Sequence, residues 1–290
     1  MHRLAIIAGL FVSACCLFPR KSVAGEEAQA LLWRVEHPTL QYPSFLFGTI
    51  HLICPEDYFW TERMDSALGM CEEVCFEMDM DDPGLLSAIA VGMLDNSGKV
   101  LEDYFTPEEY GVLKAFMTDS LGVQIDMFQR LKPAALQTLF AASTAPCETP
   151  VSYELKIMEI AKERNVSITG LESPQEQLDV LNSLQDETVL EELIRSIKDR
   201  KEAHQEYREL LGAYKRQDLD LLSRLLEASK LSDEEKDVFL YTRNRKWVSR
   251  IQDKMEQRPV FFAVGAAHLG GEKGLIQLLR AEGYVVKPVL

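Results

Sequence analysis

The sequence predicts an α/β fold, with a mixed sheet formed by the N- and C-terminal segments and a large helical insertion acting as a cap. Three observations predict it. Short apolar runs of strand length gather at residues 31–78 and again at 259–286. Helix starts with capping residues crowd the middle of the chain. The residues suited to chemistry stand where strand-like runs end, the edge at which open α/β sheets hold ligands.

Taken in order, residues 31–36 and 44–50 are the first two strands. Pro38 and Pro43 bracket their link, which predicts a wide antiparallel hairpin. Residues 61–70 form a short helix with Thr61 as N-cap. Residues 73–78 form a third strand, and Asp79, Asp81 and Asp82 after it make a solvated turn. Thr106, Pro107 and Glu109 supply a cap, a proline at the first helical position and a glutamate at the third. Residues 132–143 and 152–164 are further helices, 166–172 is a fourth strand, and Pro174 starts another helix. From 188 to 255 the pattern is helical, with breaks expected at Gly212 and at 231–233, where Ser232 and Glu235 form a capping box. Residues 259–264 are continuously apolar, as in a strand covered on both faces. Gly270 and Gly271 lead into a helix, Gly283 ends it, and 284–286 is the last strand. The insertion therefore occupies about 85–165 and 175–257, so that the two ends build the sheet and the middle covers it.

Residues 1–24 read as an export signal. Arg3 gives a positive start, and residues 4–12 are an apolar run too short to span a bilayer comfortably. Two exits are open. Ser22, Val23 and Ala24 suit cleavage before Gly25, which leaves a mature domain at 25–290. Val12, Ser13, Ala14 and Cys15 resemble a bacterial lipobox, which removes residues 1–14 and leaves Cys15 as a lipid anchor. Either exit places the protein in the bacterial periplasm or on a lipid anchor at a membrane. No other stretch is apolar enough for a membrane span. Loss of Arg3, Arg20 and Lys21 lowers the net charge from −15 to −18. That acidity argues against nucleic acid or an anionic membrane surface as a partner and leaves peptides and small molecules as substrates. The oligomeric state has no signal in the sequence. Cys54, Cys71, Cys75 and Cys147 lie beyond the signal. Their even number and export allow disulfides, their spacing lacks the second close pair of a zinc site, and bridges and buried thiols both stay open.

Two of the five histidines follow a glycine by three positions, in Gly48-Thr49-Ile50-His51 and Gly265-Ala266-Ala267-His268. Each turn ends an apolar strand-like run. Glycine lets the backbone turn tightly and approach a neighbour, and imidazole at such an edge can bind a metal or move a proton near neutral pH. Glu77 ends the third strand and is a candidate metal ligand, general base or orienter of an imidazole. Strand alternation turns it away from the face of Phe76, a poor place for a packing role and a good one for a carboxylate at the ligand-binding edge. Glu172 ends the fourth strand as a second carboxylate. Arg243 lies one turn before Trp247, which with Ile251 and Met255 makes an apolar stripe, and is placed to clamp an anion or pair with an acid. Serine-hydrolase elbows, zincin helices, P-loops and dinucleotide fingerprints have no counterpart here.

These residues, in this order, resemble the TraB/GumN family, which includes the Tiki-type metalloproteases. The resemblance rests on residues 47–51, 73–79, 168–172 with Gln177, Arg243 and Asn244 with Trp247, and 264–269 with Gly271. It runs over nearly the whole mature chain. One departure is visible: the segment before the family's central helix usually carries an Asp, and Glu154 stands near that place with no role assigned. The resemblance implies a metal-dependent, peptidase-like hydrolase. On that reading His51, His268 and Glu77 surround a divalent zinc, manganese, cobalt or iron ion, Arg243 stabilises developing negative charge, and Glu172 assists. Two rivals stand beside it: an exported binding protein holding haem or another ligand in the same His-lined cleft, and a metal-free esterase-like hydrolase using Glu and His.

Overall fold

The computed structural model describes residues 29–142, 145–183, 186–229 and 231–290. The export signal expected at 1–24 and its Cys15 lie outside the described residues. Six strands form one sheet: β1 (Leu32–Glu36), β2 (Ser44–Thr49), β3 (Glu73–Met78), β4 (Ser167–Glu172), β5 (Val260–Gly265) and β6 (Val285–Pro288). They stand side by side as β4-β3-β5-β2-β1-β6. The expected hairpin is present, with β1 antiparallel to β2 in the register Leu32↔Phe47 and Val35↔Ser44. β6 adds antiparallel to the other side of β1. The remaining neighbours, β4 with β3, β3 with β5 and β5 with β2, are all parallel. Four adjacent strands therefore point the same way and end at one edge.

Both central faces are covered, which explains the unbroken apolar runs. All of β2 is buried, and so are Val260, Phe261, Phe262, Ala263 and Val264 of β5. Helix Glu62–Gly69 contributes Met64, Ala67 and Leu68, and helix Tyr153–Glu163 contributes Tyr153, Ile157 and Ala161 at a four-residue spacing. The stripe Trp247, Ile251 and Met255 of helix Thr242–Gln257 is buried as its spacing predicts.

The insertion carries a core of its own. Leu113, Phe116 and Met117 of helix Pro107–Asp119 meet Leu136 and Phe140 of helix Pro133–Ala142 and Leu193 and Ile194 of helix Asp186–Lys198. The chain enters this region after β3 and again after β4, so both excursions leave from the edge where the parallel strands end. Capping boxes open the helices at Thr106, Ser173 and Ser232.

One expected break is absent. Gly212 lies inside helix Arg200–Lys215, and the chain turns instead at Gln217, whose φ is 55°. Glycine costs a helix about 1 kcal/mol relative to alanine, and the buried neighbours Leu211, Ala213 and Tyr214 outweigh that. The break at 231–233 is present. Beyond it, helix Asp233–Lys236 continues through a π-helical turn, Asp237–Tyr241, into Thr242–Gln257. Among the described residues no helix is long and apolar enough to cross a membrane.

Candidate active site

The four parallel strands each deliver one predicted site residue to their common edge. Glu172 comes from β4, Glu77 from β3, His268 from the turn after β5 and His51 from the turn after β2. The register brings them level: Met78 pairs with Glu172, Phe76 with Ala263, and Thr49 with Gly265. Adjacent strands are about 4.8 Å apart, so residues distant in sequence become neighbours here.

The glycines of the two turns do different work. A Cβ on Gly48 would meet Ala266 Cα and Leu269 Cδ1, each at 3.0 Å, so this glycine lets the β5 turn pass over β2. A Cβ on Gly265 would stand 3.3 Å from Glu77 Oε1, and the Gly265 N–H donates to that same oxygen at 2.8 Å. The second glycine thus admits a carboxylate to the turn. Tyr214, from the insertion, donates its hydroxyl to the Gly48 carbonyl at 3.0 Å.

Arg243 is the hub. Its Nε and Nη2 bond Glu172 at 3.2 and 2.6 Å, and Nη2 also bonds Glu77 Oε2 at 2.6 Å. Nη1 donates to the Phe239 carbonyl in the π-helical turn at 3.0 Å and lies 3.3 Å from His268 Nε2. The guanidinium sits 4.6 Å from the centre of the Trp247 ring, and Trp247 Nε1 donates to Glu172 at 3.1 Å. A planar fork with five donors is the side chain that can serve two carboxylates and a carbonyl at once. Glu77 also accepts from Gln177 Nε2 at 3.4 Å. Glu77 is therefore part of a partly buried ion-pair network, held by polar partners rather than by packing. Alternation does turn it from the Phe76 face, but Arg243 and Gly265 meet it there.

His268 is almost enclosed, with 4% of its side chain exposed, and its ring centre lies 4.4 Å from that of Trp247, the two planes tilted by 36°. Asn244 fixes its tautomer. The Asn244 Nδ2 donates to the carbonyls of His268 and Lys273 at 3.2 and 3.0 Å, which leaves its Oδ1 to accept from His268 Nδ1 at 2.6 Å. The lone pair is then on Nε2, 3.7 Å from Glu77 Oε1. Burial, with Arg243 and His51 also nearby, outweighs Glu77 and pushes the His268 ring down to about 3, so it is neutral at neutral pH. Burial raises the Glu77 carboxyl, but positive charge at His268, Arg243 and His51 brings it down to about 2. A neutral His268 supplies no such charge, so at neutral pH Arg243 carries that duty together with the protonated His51. Burial pushes Glu172 upward, against the pull of Arg243.

His51 is different. Its side chain is 74% exposed, and Nδ1 lies 3.0 Å from Glu154 Oε1. That hydrogen bond raises the ring to about 9 against desolvation, and its open exposure screens part of the pull. Glu154 and Asn244 are the site residues left without a role in the sequence, although both stand among or beside the residues that carry the family resemblance. Asn244 adjoins Arg243, and Glu154 lies two positions past the Ser152 cap, but neither neighbour reveals the imidazole it serves.

Cys54 is bonded to Cys147, whereas Cys71 and Cys75 are buried thiols that burial pushes up to about 12. Among the described residues, no three His, Cys, Asp or Glu side chains are grouped closely enough to hold a metal ion.

The profile of the TraB/PrgY/gumN family matches residues 31–288. Metalloprotease TIKI2 of Danio rerio is 25% identical over an alignment of 329 positions, covering 92% of this chain. Metalloprotease TIKI1 of Homo sapiens is 24% identical over 330 positions, covering 94% of this chain. The chain spans 62% and 64% of the lengths of those two relatives. No solved structure matches it.

Proposed function

The chain belongs to the TraB/PrgY/gumN family, and on that premise we propose that it is a metal-dependent hydrolase of peptide or related acyl bonds. The observation that carries this reading is the row of Glu172, Glu77, His268 and His51 along one sheet edge, the first three tied together by Arg243 and His51 held apart by Glu154. The relatives' printed names, metalloproteases, support it from outside the chain.

The residues fit a divalent ion in two respects. His268 Nε2 and Glu77 Oε1, 3.7 Å apart, lie within the span that two donors about 2.1 Å from one ion can bridge. With His51 protonated and His268 neutral, the carboxylates Glu77, Glu172 and Glu154 still exceed the positive groups Arg243 and His51 by one negative charge. His268 and Glu77 would hold the ion, with the exposed His51 as the third donor only if its ring moves closer, since the three are not grouped as they stand. This donor set suits zinc, manganese, cobalt or iron alike. When bound, the ion supplies Lewis-acid polarisation of a carbonyl and a water that ionises near neutral pH. The chain's own groups do the rest. Asn244 holds the His268 lone pair on Nε2, and Glu172 grips Arg243 at two points. Arg243 thereby keeps a fixed positive charge at the edge, ready for the negative charge that develops on a substrate oxygen. The helices that leave this edge cap it and limit water.

A second reading has its own observation. Arg243 already occupies the hydrogen-bonding positions between Glu77 and His268, and no three donors are grouped. That suits a metal-free hydrolase in which Glu and His share the acid–base work. Metal analysis and turnover on a peptide library, before and after chelation, decide. About one equivalent of metal, with turnover lost on chelation and restored on its return, is expected. Turnover that survives chelation selects the metal-free hydrolase. Tight ligand or haem binding without turnover selects a binding protein.

The same reading places the protein outside the cytoplasm. The apolar run at 4–12 and the Cys54–Cys147 bridge support this, because disulfides persist in oxidising compartments. Intact-mass measurement should find residues 1–24 removed, or residues 1–14 removed with a lipid on Cys15.

A further inference from the structure

The turn that carries His51 is tied to one distant segment at every level of structure. Cys54 is bonded to Cys147, 93 residues away. Ile53 and Val151 exchange both backbone hydrogen bonds, at 3.0 and 2.8 Å. The Tyr153 hydroxyl donates to the Phe59 carbonyl at 2.8 Å. Glu154 stands at the centre of this seam. Its Oε1 accepts from the Thr49 hydroxyl at 2.7 Å and faces His51 Nδ1 at 3.0 Å, while Oε2 accepts from the Ser152 hydroxyl at 2.9 Å. Ser152 caps helix Tyr153–Glu163, so Glu154 also lies in a first helical turn, where the backbone favours a negative charge. The Glu154 side chain is 13% exposed although the ring it meets is open.

We propose that Glu154 is a positioning residue of the site: it holds His51 with the proton on Nδ1 and so presents Nε2 as the ring's donor atom. This deepens the proposed function and rests on it for the identity of the bound ion. The reasoning is one of acceptor capacity. Glu154 Oε1 is an acceptor already fixed by Thr49, so a ring nitrogen facing it does so with its N–H. No other side chain of the described residues is bonded to the ring. Ring orientation and tautomer therefore depend on this one carboxylate. A metal ligand commonly donates its second ring N–H to such a partner, and the partner makes the ligand nitrogen more basic. His268 has the neutral Asn244 in that position. The two imidazoles of the site are thus oriented alike and tuned differently.

The test uses the full mature chain without metal, and compares wild type with Glu154→Ala and Glu154→Gln. Nitrogen-15 spectra recorded above the ring's titration report which nitrogen of His51 keeps its proton, with His51→Ala identifying the signal. Calorimetry with cobalt(II) reports affinity, and the thermal midpoint reports folding. Wild type should show the proton on Nδ1. Glu154→Ala should shift it toward Nε2 and lower cobalt affinity by about 10–100-fold. Glu154→Gln still offers a carbonyl to Thr49 and His51, and should keep the Nδ1 proton while recovering part of the affinity. A wild-type ring protonated on Nε2 overturns the proposal, as does Glu154→Ala with unchanged tautomer and unchanged affinity. If Glu154→Ala does not fold, Glu154→Gln decides: affinity equal to wild type overturns it. Should wild type bind no divalent ion, the metal reading fails while the tautomer comparison still judges Glu154.

Discussion

His268 is buried on the turn after β5 with Nδ1 on the Asn244 amide, whereas His51, on the paired turn after β2, is largely exposed with Nδ1 on the Glu154 carboxylate. The Gly-x-x-His pattern is the same in both. What it specifies is where the backbone goes: a glycine permits a close crossing, and the imidazole emerges at the strand end. What surrounds each ring specifies its chemistry. His268 is pushed down to about 3 and His51 up to about 9. A short motif therefore locates a histidine and leaves its protonation to contacts made across the fold.

The largest test of that contrast removes the charge that organises the closed side. Arg243→Leu leaves Glu77 and Glu172 facing each other in a largely dry space without their common partner. Breaking a buried ion pair by deleting one member costs about 3–5 kcal/mol. Denaturant unfolding should show a loss of that order, and Arg243→Lys should recover only part of it, since one ammonium cannot reproduce the forked bonds. A loss below about 1 kcal/mol would mean that the network is solvated and that the closed side resembles the open one.

The paired histidine substitutions come next. His268→Ala removes a ring packed on Trp247 and leaves the Asn244 Oδ1 without its donor, so about 2–3 kcal/mol should be lost. His51→Ala trims an exposed ring and should stay within about 0.5 kcal/mol of wild type. Both should abolish turnover if both serve the proposed site. Equal stability losses would break the comparison outright.

The same contrast explains what was legible in the sequence. The strands were, because continuous apolar runs such as β5 state their own burial, and so were helix starts such as Thr106-Pro107, whose signals lie within four residues. Glu77, Glu172, His51 and His268 were legible because each sits at or just past the end of such a run, and Arg243 because it stands one turn before the stripe residue Trp247. The pairings were not. His51 meets Glu154 at a separation of 103 residues, and Arg243 meets Glu77 at 166. Cys54 finds Cys147 while Cys71 and Cys75, closer in sequence to each other, stay unbonded. Such contacts follow from parallel strand order, which no local pattern encodes. The break expected at Gly212 failed for a related reason: burial of its neighbours overrode a local propensity. The π-helical turn that lets Phe239 meet Arg243 likewise has no sequence signature.

The metal-free protein should also show the contrast in acid. A histidine held neutral by burial binds its proton in the unfolded chain before it does in the folded one. Between the ordinary value of 6.5 and about 3, the unfolded state therefore carries the extra proton at His268, and stability falls as the pH falls through that range. His268→Asn removes this contribution. Its unfolding free energy should fall less steeply over that acid range than that of wild type. Parallel slopes would indicate that the ring takes up a proton without opening the site.

The smallest effect belongs to His51, and its sign is opposite. Its folded value is raised from 6.5 to about 9 by Glu154, so over that interval the folded state holds a proton that the unfolded chain has released. The resulting stability is present in full below 6.5 and is lost as the pH rises through about 9. Water reaches most of the ring, so the pair is screened and the gain is well below that of a buried pair. Unfolding measured at about pH 6 and about pH 9.5, either side of the shifted range, tests it in wild type and Glu154→Gln without metal. Wild type should lose more stability between the two than the variant, and added salt should narrow the gap because exposed charges are screened within about 10 Å at moderate ionic strength. Identical losses at low salt would mean that Glu154 orients the ring without holding its charge. The open histidine would then differ from the closed one in exposure alone.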